Sequence, residues 1–247
     1  MRKSVIILPI ILLLLFASFS VEDVVEETVA KEPIFSLNEY ACQLYECVSD
    51  AEINEEAFNL ALKGYYTLIS NNELENKKYL TIVDMSLSSN TERFYVVDME
   101  TQQLIFKSLV AHGKNTGEEL ASSFSNKERS YQTSLGFYKT AETYDGKRGF
   151  SMKLDGLEYS NSNARDRGVV IHGAKYVSEE FIENNGRLGR SLGCPSLPMD
   201  SFKEIVEILK NGSCLFIYYP QEQYLAKSKL VNTADNYLLT SNGTLSK

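Results

Sequence analysis

Apolar positions along this chain change their spacing several times, and each change predicts a different kind of element. Val5 to Phe16 is almost continuously apolar. Residues 21–34 then carry five acids, with Lys31 and Pro33, the composition of a solvated linker. From residue 36 the period becomes helical. Leu37, Tyr40, Ala41, Leu44 and Val48 fall on one helical face, and Ser36 with Glu39 forms a capping-box pattern. A second helix is predicted behind Asn54, with Ile53 and Phe58 placed as a hydrophobic staple and Phe58, Leu62, Tyr65, Leu68 and Ile69 as its buried face. The two helices occupy 35–75.

Beyond residue 76 the apolar runs shorten and become β-branched or aromatic. Strands are predicted at Tyr79–Met85, Phe94–Met99, Leu104–Ala111, Leu135–Ala141, Phe150–Leu154, Val169–Ile171 and Leu215–Tyr219. One late helix interrupts them, with Ser201 and Glu204 as a capping box, Phe202, Ile205, Val206 and Leu209 on its inner face and Gly212 as its stop. The fold class expected is mainly β over 76–220, with an N-terminal helical pair and one late helix. Residues 221–247 are polar and weakly periodic, and a loosely attached tail is expected there.

The opening apolar run follows Arg2 and Lys3 and precedes Ala17, Ser18 and Ser20. This is the layout of a secretory signal over 1–20. A retained anchor is the alternative, although the run is short of the ~20 residues that span a bilayer; the membrane enters only through an uncleaved leader. The chain has 25 Lys+Arg against 33 Asp+Glu, a net charge of -8. Without the two basic residues of the leader it becomes more acidic still, which argues against nucleic acid as a partner. The expected location is therefore outside the cytoplasm.

Two histidines and four cysteines restrict the chemistry. His112, His172, Cys194 and Cys214 lack the paired spacing of a zinc site, so no metal and no cofactor is expected. Cys42 and Cys47 lie five apart on the first predicted helix, about 8–9 Å between Cα atoms and too far for a disulfide with each other. Cys214 opens an apolar strand and reads as a buried small hydrophobe. Cys194 differs. It ends the run Gly186-Arg187-Leu188-Gly189-Arg190-Ser191-Leu192-Gly193-Cys194, where arginines favour a thiolate and the Gly193 and Cys194 amides can converge on one oxygen. A structural cysteine in a Gly-rich turn is the competing reading. His172 leaves the strand Val169-Val170-Ile171 just before Gly173, a place where side chains can face a cleft, and with Cys194 it makes a nucleophile–base pattern; a satisfied core or surface histidine is the competing reading.

The segments Ile171-His172-Gly173-Ala174, Tyr176-Val177-Ser178 and Gly186 to Pro195 closely resemble the L,D-transpeptidase (YkuD-like) catalytic domain, murein-transpeptidase subgroup. Val110 to Lys114, Phe124 to Lys127, Leu135 to Tyr138 and Leu154 to Leu157 are similar to the same subgroup. Leu192 and Pro195 depart from the wider family, which often has a second His and a polar residue at those places. The resemblance implies a mixed β-sandwich or barrel-like catalytic fold over about 79–220. It also implies peptide stems of peptidoglycan as partner, a thioester on Cys194 and a 3–3 cross-link as product; water in place of the acceptor would make the enzyme a carboxypeptidase or endopeptidase of stem peptides. Catalytic residues are then Cys194, His172, Gly193 and Ser191, the last bracing the loop. The substrate-binding candidates are Arg190, His112, Tyr138 and Asn163; a structural ion pair for Arg190 and a structural role for His112 stand beside that reading. A backbone carbonyl is expected to orient His172, since no nearby carboxylate is evident. An idle, wall-binding domain is the non-enzymatic alternative.

Overall fold

Strand β2 (Tyr79–Asp84) is buried over five of its six residues and β9 (Cys214–Tyr218) over all five. Such continuous burial is what apolar runs without alternation call for, because both faces of the strand are covered. The structure, a computed structural model, describes residues 33–48, 52–146, 149–234 and 236–246. The expected leader and most of the acidic linker lie outside the described residues. No helix among the described residues is long and apolar enough to cross a membrane.

The chain begins with β1 (Ile34–Ser36), α1 (Leu37–Val48) and α2 (Glu55–Ser70), and continues through β2, β3 (Phe94–Asp98) and β4 (Gln103–Ser108). Then come β5 (Gly136–Gly146), β6 (Gly149–Gly156), β7 (Val170–Gly173), α3 (Glu179–Asn185), β8 (Ser196–Leu197) and α4 (Phe202–Leu209). The last elements are β9, α5 (Glu222–Lys227) and β10 (Leu238–Thr240). Eight strands form one mixed sheet in the order β4-β3-β2-β9-β5-β6-β7-β8. β9 runs parallel to β2 and antiparallel to β5, so the late strand sits at the centre. Beyond β4, Ala111 donates to the Ser196 carbonyl at 2.9 Å and accepts from the Ser196 amide at 3.3 Å. That bridge ties the continuation of one edge strand to the other edge, and the sheet is nearly closed.

The mainly-β class, the helical pair and the late helix are as expected, and the seven predicted strands are all present. The Ser36 capping box forms, with the Ser36 amide on Glu39 Oε2 at 2.8 Å and the Glu39 amide on Ser36 Oγ at 3.3 Å. Asn54 caps α2 by accepting from the Ala57 amide at 3.0 Å. The box at Ser201 does not form: that residue has helical dihedrals and its side chain makes no capping bond. α4 is held instead by its buried face of Phe202, Ile205, Val206 and Leu209. Two short helices, α3 and α5, were not expected. α3 has no buried residue and so no periodic apolar face to read.

The C-terminal segment corrects the expectation of a loose tail. β10 pairs antiparallel with β1, and Tyr224 and Leu239 are fully buried. Buried Glu158 accepts from Tyr224 Oη at 2.7 Å and from the Ser228 hydroxyl, pinning α5 to the domain. Single anchors spaced this widely leave no period in the sequence, and the segment is legible only once folded.

α2 lies against β2 and β9, and Gly64 permits the approach. A Cβ there would sit 2.0 Å from Cζ of Phe137, whose ring stacks on Phe216 at a centroid separation of 4.2 Å. Gly64→Ala is expected to destabilise the domain by about 1–3 kcal/mol through overpacking, despite its better helix propensity. A lowered midpoint in thermal or urea unfolding checks this; an unchanged or raised midpoint contradicts it.

Candidate active site

The loop ending in Cys194 is held by the segment that closes the sheet. The Ser191 amide donates to the His112 carbonyl at 2.9 Å, and the Lys114 amide to the Ser191 carbonyl at 2.8 Å. Ser191 is buried; its Oγ donates to the Cys194 carbonyl at 2.6 Å and accepts from the Gly193 amide at 3.0 Å. One hydroxyl therefore fixes both ends of the turn. Gly193 has φ +123°, and a Cβ on it would meet the Gln132 carbonyl oxygen at 2.8 Å and Arg167 Nη2 at 3.2 Å, so glycine is required there on both counts. The Gly193 amide, a candidate donor to a substrate oxygen, donates here to Ser191 Oγ.

His172 closes β7 and is 2% exposed. Its Nδ1 lies 3.1 Å from the Gly173 carbonyl oxygen, which can only accept, so Nδ1 carries the proton and Nε2 is the basic position. Nε2 is 3.0 Å from Ser196 Oγ, which is 3.1 Å from Tyr176 Oη. β7 and β8 pair in parallel with His172 opposite Ser196, two residues after Cys194. The strand pairing thus brings the two candidate groups to one corner of the sheet.

Cys194 is half-buried and lines a cleft of about 360 Å³. Tyr144, Val170 and exposed Leu192 supply an apolar flank, and Arg167, Gly168 and Ser151 the remainder. Ser151 pairs across β6 and β7 with His172. Two larger cavities, of about 500 and 380 Å³, lie along the seam with the C-terminal segment and are lined by no cysteine or histidine. Cavity size and chemistry point to different places, and the chemistry identifies the candidate site.

Arg187 and Arg190, expected to lend charge to the thiol, both reach Glu118, at 2.9 and 2.6 Å. Arg190 also donates to the Lys114 and Gly117 carbonyls, each at 3.0 Å. The pairing with Arg190 holds the Glu118 carboxyl below its ordinary range. Of the two expectations for Arg190, the ion pair is the one the structure places.

His112 is buried and receives Arg93 Nη2 on Nδ1 at 2.8 Å. Because a guanidinium only donates, the His112 proton is on Nε2, 3.3 Å from the Gly117 carbonyl. Burial first, then the Arg93 charge, pushes this imidazole down to about 4. In the unfolded chain it titrates near 6.5, so between pH ~4 and ~6.5 the unfolded state binds more protons. Stability contributed by neutral His112 is present above pH ~6.5 and is lost as pH falls through that window, by about 3 kcal/mol at its acid end. Urea unfolding of wild type and His112→Asn between pH 4 and 7 checks this. The wild-type slope is expected to be steeper, and equal slopes contradict it.

Tyr138 is fully buried and donates to the Ser134 carbonyl at 2.9 Å, so it does not reach the cleft surface. Asn163 fastens two loops, its amide accepted by Asn126 Oδ1 and its Nδ2 by the Asn126 carbonyl, each at 3.1 Å. The residues the sequence reading missed are Arg167, Ser196, Tyr176 and Arg93. Arg167 stands five positions before His172, and that nearness to the strand was the available signal; nothing local marks the others. Cys42 and Cys47 are exposed on α1 and unbonded, while burial pushes the Cys214 thiol up.

Residues 49–218, well over half of the chain, match the sequence model of the L,D-transpeptidase catalytic domain. No curated protein matches the sequence. Among solved structures, an L,D-transpeptidase from Mycobacterium smegmatis is 14% identical with a TM-score of 0.36, covering 57% of this chain and 59% of that one. An L,D-transpeptidase (Yku) from Stackebrandtia nassauensis is 18% identical, with a TM-score of 0.34 and coverages of 67% and 68%. The helical cell shape determining protein Pgp2 from Campylobacter jejuni is 14% identical, with a TM-score of 0.38 and coverages of 64% and 54%. The chain spans about three fifths of the length of the first of these.

Proposed function

The chain belongs to the L,D-transpeptidase catalytic-domain family, and from that premise we propose that it is an exported cysteine acyl-transferase acting on the peptide stems of peptidoglycan. The observation that carries the reading is Cys194, half-buried in a cleft at the end of a braced loop. His172 stands on the strand paired with the segment that follows Cys194, its proton fixed on Nδ1 by a backbone carbonyl. Leader-like residues 1–20 support export.

In the proposed reaction Sγ attacks the carbonyl joining the third stem residue, at its L-centre, to the terminal D-Ala. An ordinary thiol with a pKa near 8.5 is only a few per cent ionised at neutral pH, so a base is needed. His172 takes the thiol proton and returns it to the departing amine as the C–N bond breaks. The Cys194 amide is the proposed donor to the developing oxyanion. The amine of a second stem then attacks the thioester, its proton leaves through His172, and the thiol is restored.

Incubation with purified tetrapeptide stems, followed by mass spectrometry of protein and products, tests this. An acyl adduct on Cys194 and a cross-linked dimer are expected. Free tripeptide without dimer would replace transfer by hydrolysis on the same thioester. Absence of any adduct would sink the proposal.

A further inference from the structure

Arg167 lines the cleft of the thiol, and its charge has no carboxylate partner among the described residues. Its Nη1 donates to the Ser125 carbonyl at 2.8 Å and to the Ser134 hydroxyl; its Nη2 donates to the Gln132 carbonyl at 2.6 Å and to Ser130 Oγ at 3.4 Å. All four acceptors are neutral. They hold the guanidinium rigidly and leave its positive charge uncancelled. The neighbouring Arg165, by contrast, is bound to Asp155 and Glu142 on the surface.

The place where that charge is held matters. Arg167 and Cys194 line the same cleft, and Arg167 Nη2 lies 3.2 Å from where a Cβ on Gly193 would stand, next to the thiol in sequence. The titratable and charged groups around the thiol come from several elements. β5 brings Tyr144 at the rim, with Lys153 of β6 5.4 Å from its ring centre and itself paired to Glu142. It also brings Tyr138, buried behind the cleft. β7 brings His172. On the loop that Arg167 fastens, Lys127, Glu128 and Arg129 are exposed. Asp166 is exposed too, and no Asp or Glu lines this cleft.

We propose that Arg167 is a positioning residue that sets the acidity of Cys194, its tethered guanidinium favouring the thiolate over the thiol. The physical basis is that an opposite charge close by favours the ionised form, and partial removal from water strengthens the effect. Burial lowers the pKa of Arg167, and negative charge on Tyr138 or Cys194 would raise it, the reciprocal of the same attraction. The assignment deepens the proposed function and rests on it for its catalytic meaning, since thiolate content governs how fast an acyl-enzyme forms.

The test reads the thiol without substrate. In a Cys42→Ser, Cys47→Ser background, alkylation of Cys194 by iodoacetamide is followed against pH. Arg167→Gln is expected to lower the rate about tenfold at pH 6.5 with little change at pH 10, an upward shift of about one pKa unit. Arg167→Lys keeps the charge and is expected to recover most of the rate; Arg165→Gln is expected to match the parent. A parental profile in folded Arg167→Gln would overturn the proposal. So would a parent in which Cys194 titrates at or above 8.5, a result that needs no variant to fold. A rise in KM for tetrapeptide with an unmoved alkylation profile would also overturn it and assign Arg167 to a substrate carboxylate. If the profile shifts as expected but wall peptides never acylate Cys194, the thiol assignment stands and the proposed function fails.

Discussion

Cys194→Ala is expected to remove acyl-enzyme formation on tetrapeptide stems by on the order of 10⁴-fold or more, the scale of losing a nucleophile. The size of the effect follows from the lack of a substitute in the cleft. Ser151 lines it but donates to the Gly149 carbonyl at 3.1 Å. Ser191 is occupied by the turn, its Oγ on the Cys194 carbonyl. Cys42 and Cys47 lie on the surface of α1 and Cys214 is buried. The loop is held mainly by Ser191 and the His112 segment, and the thiol adds a weak bond to the Gly168 carbonyl at 3.6 Å, so the variant should fold with little change in stability. Intact-protein mass after incubation with stems is the measurement, and a variant that still gains the acyl mass rules out the assigned nucleophile.

His172→Gln is expected to slow acylation at pH 7 by about 10²–10⁴-fold, the usual contribution of a positioned base. The pH profile separates this role from a structural one. Without the base, attack depends on thiolate formed by free ionisation, so the variant's rate should climb about tenfold per pH unit until the thiol titrates. Wild type, with the base in place, should rise less steeply over the same range. The glutamine can retain a donor to the Gly173 carbonyl while lacking a basic nitrogen. A variant whose rate stays low and flat from pH 6 to 9 would mean that His172 only holds the loop. Near-wild-type acylation at pH 7 would remove it from the mechanism.

Much of the fold is legible because its signals are local. Ser36 and Glu39 reach each other across three residues, and Asn54 reaches Ala57, so their caps can be read from spacing. β2 and β9 are apolar throughout because they are covered on both faces. Ser201 shows the limit: the pattern is present, but the residue is held in helical dihedrals and does not cap. α3 has no apolar stripe, and the C-terminal segment docks through isolated residues such as Tyr224 and Leu239. In the site, the sequence reading placed charge with the arginines adjacent to the thiol, but Glu118 pairs with both. Arg167 is fastened over the cleft by carbonyls that no local pattern relates to it.

By itself the sequence determines the longer helices and most of the strands, the family and the two residues proposed as nucleophile and base. Each of these depends on composition or spacing within a few positions, and short-range sterics and hydrogen bonding read that spacing directly. Tertiary structure alone decides what those residues feel. The pairing of β7 with β8 brings His172 to the loop of Cys194, and the Gly193 amide turns to Ser191 because the loop is braced there. Arg190 is neutralised while Arg167 is not. Charge, burial and proton position act through space, and the distances that set them come into being when the sheet closes.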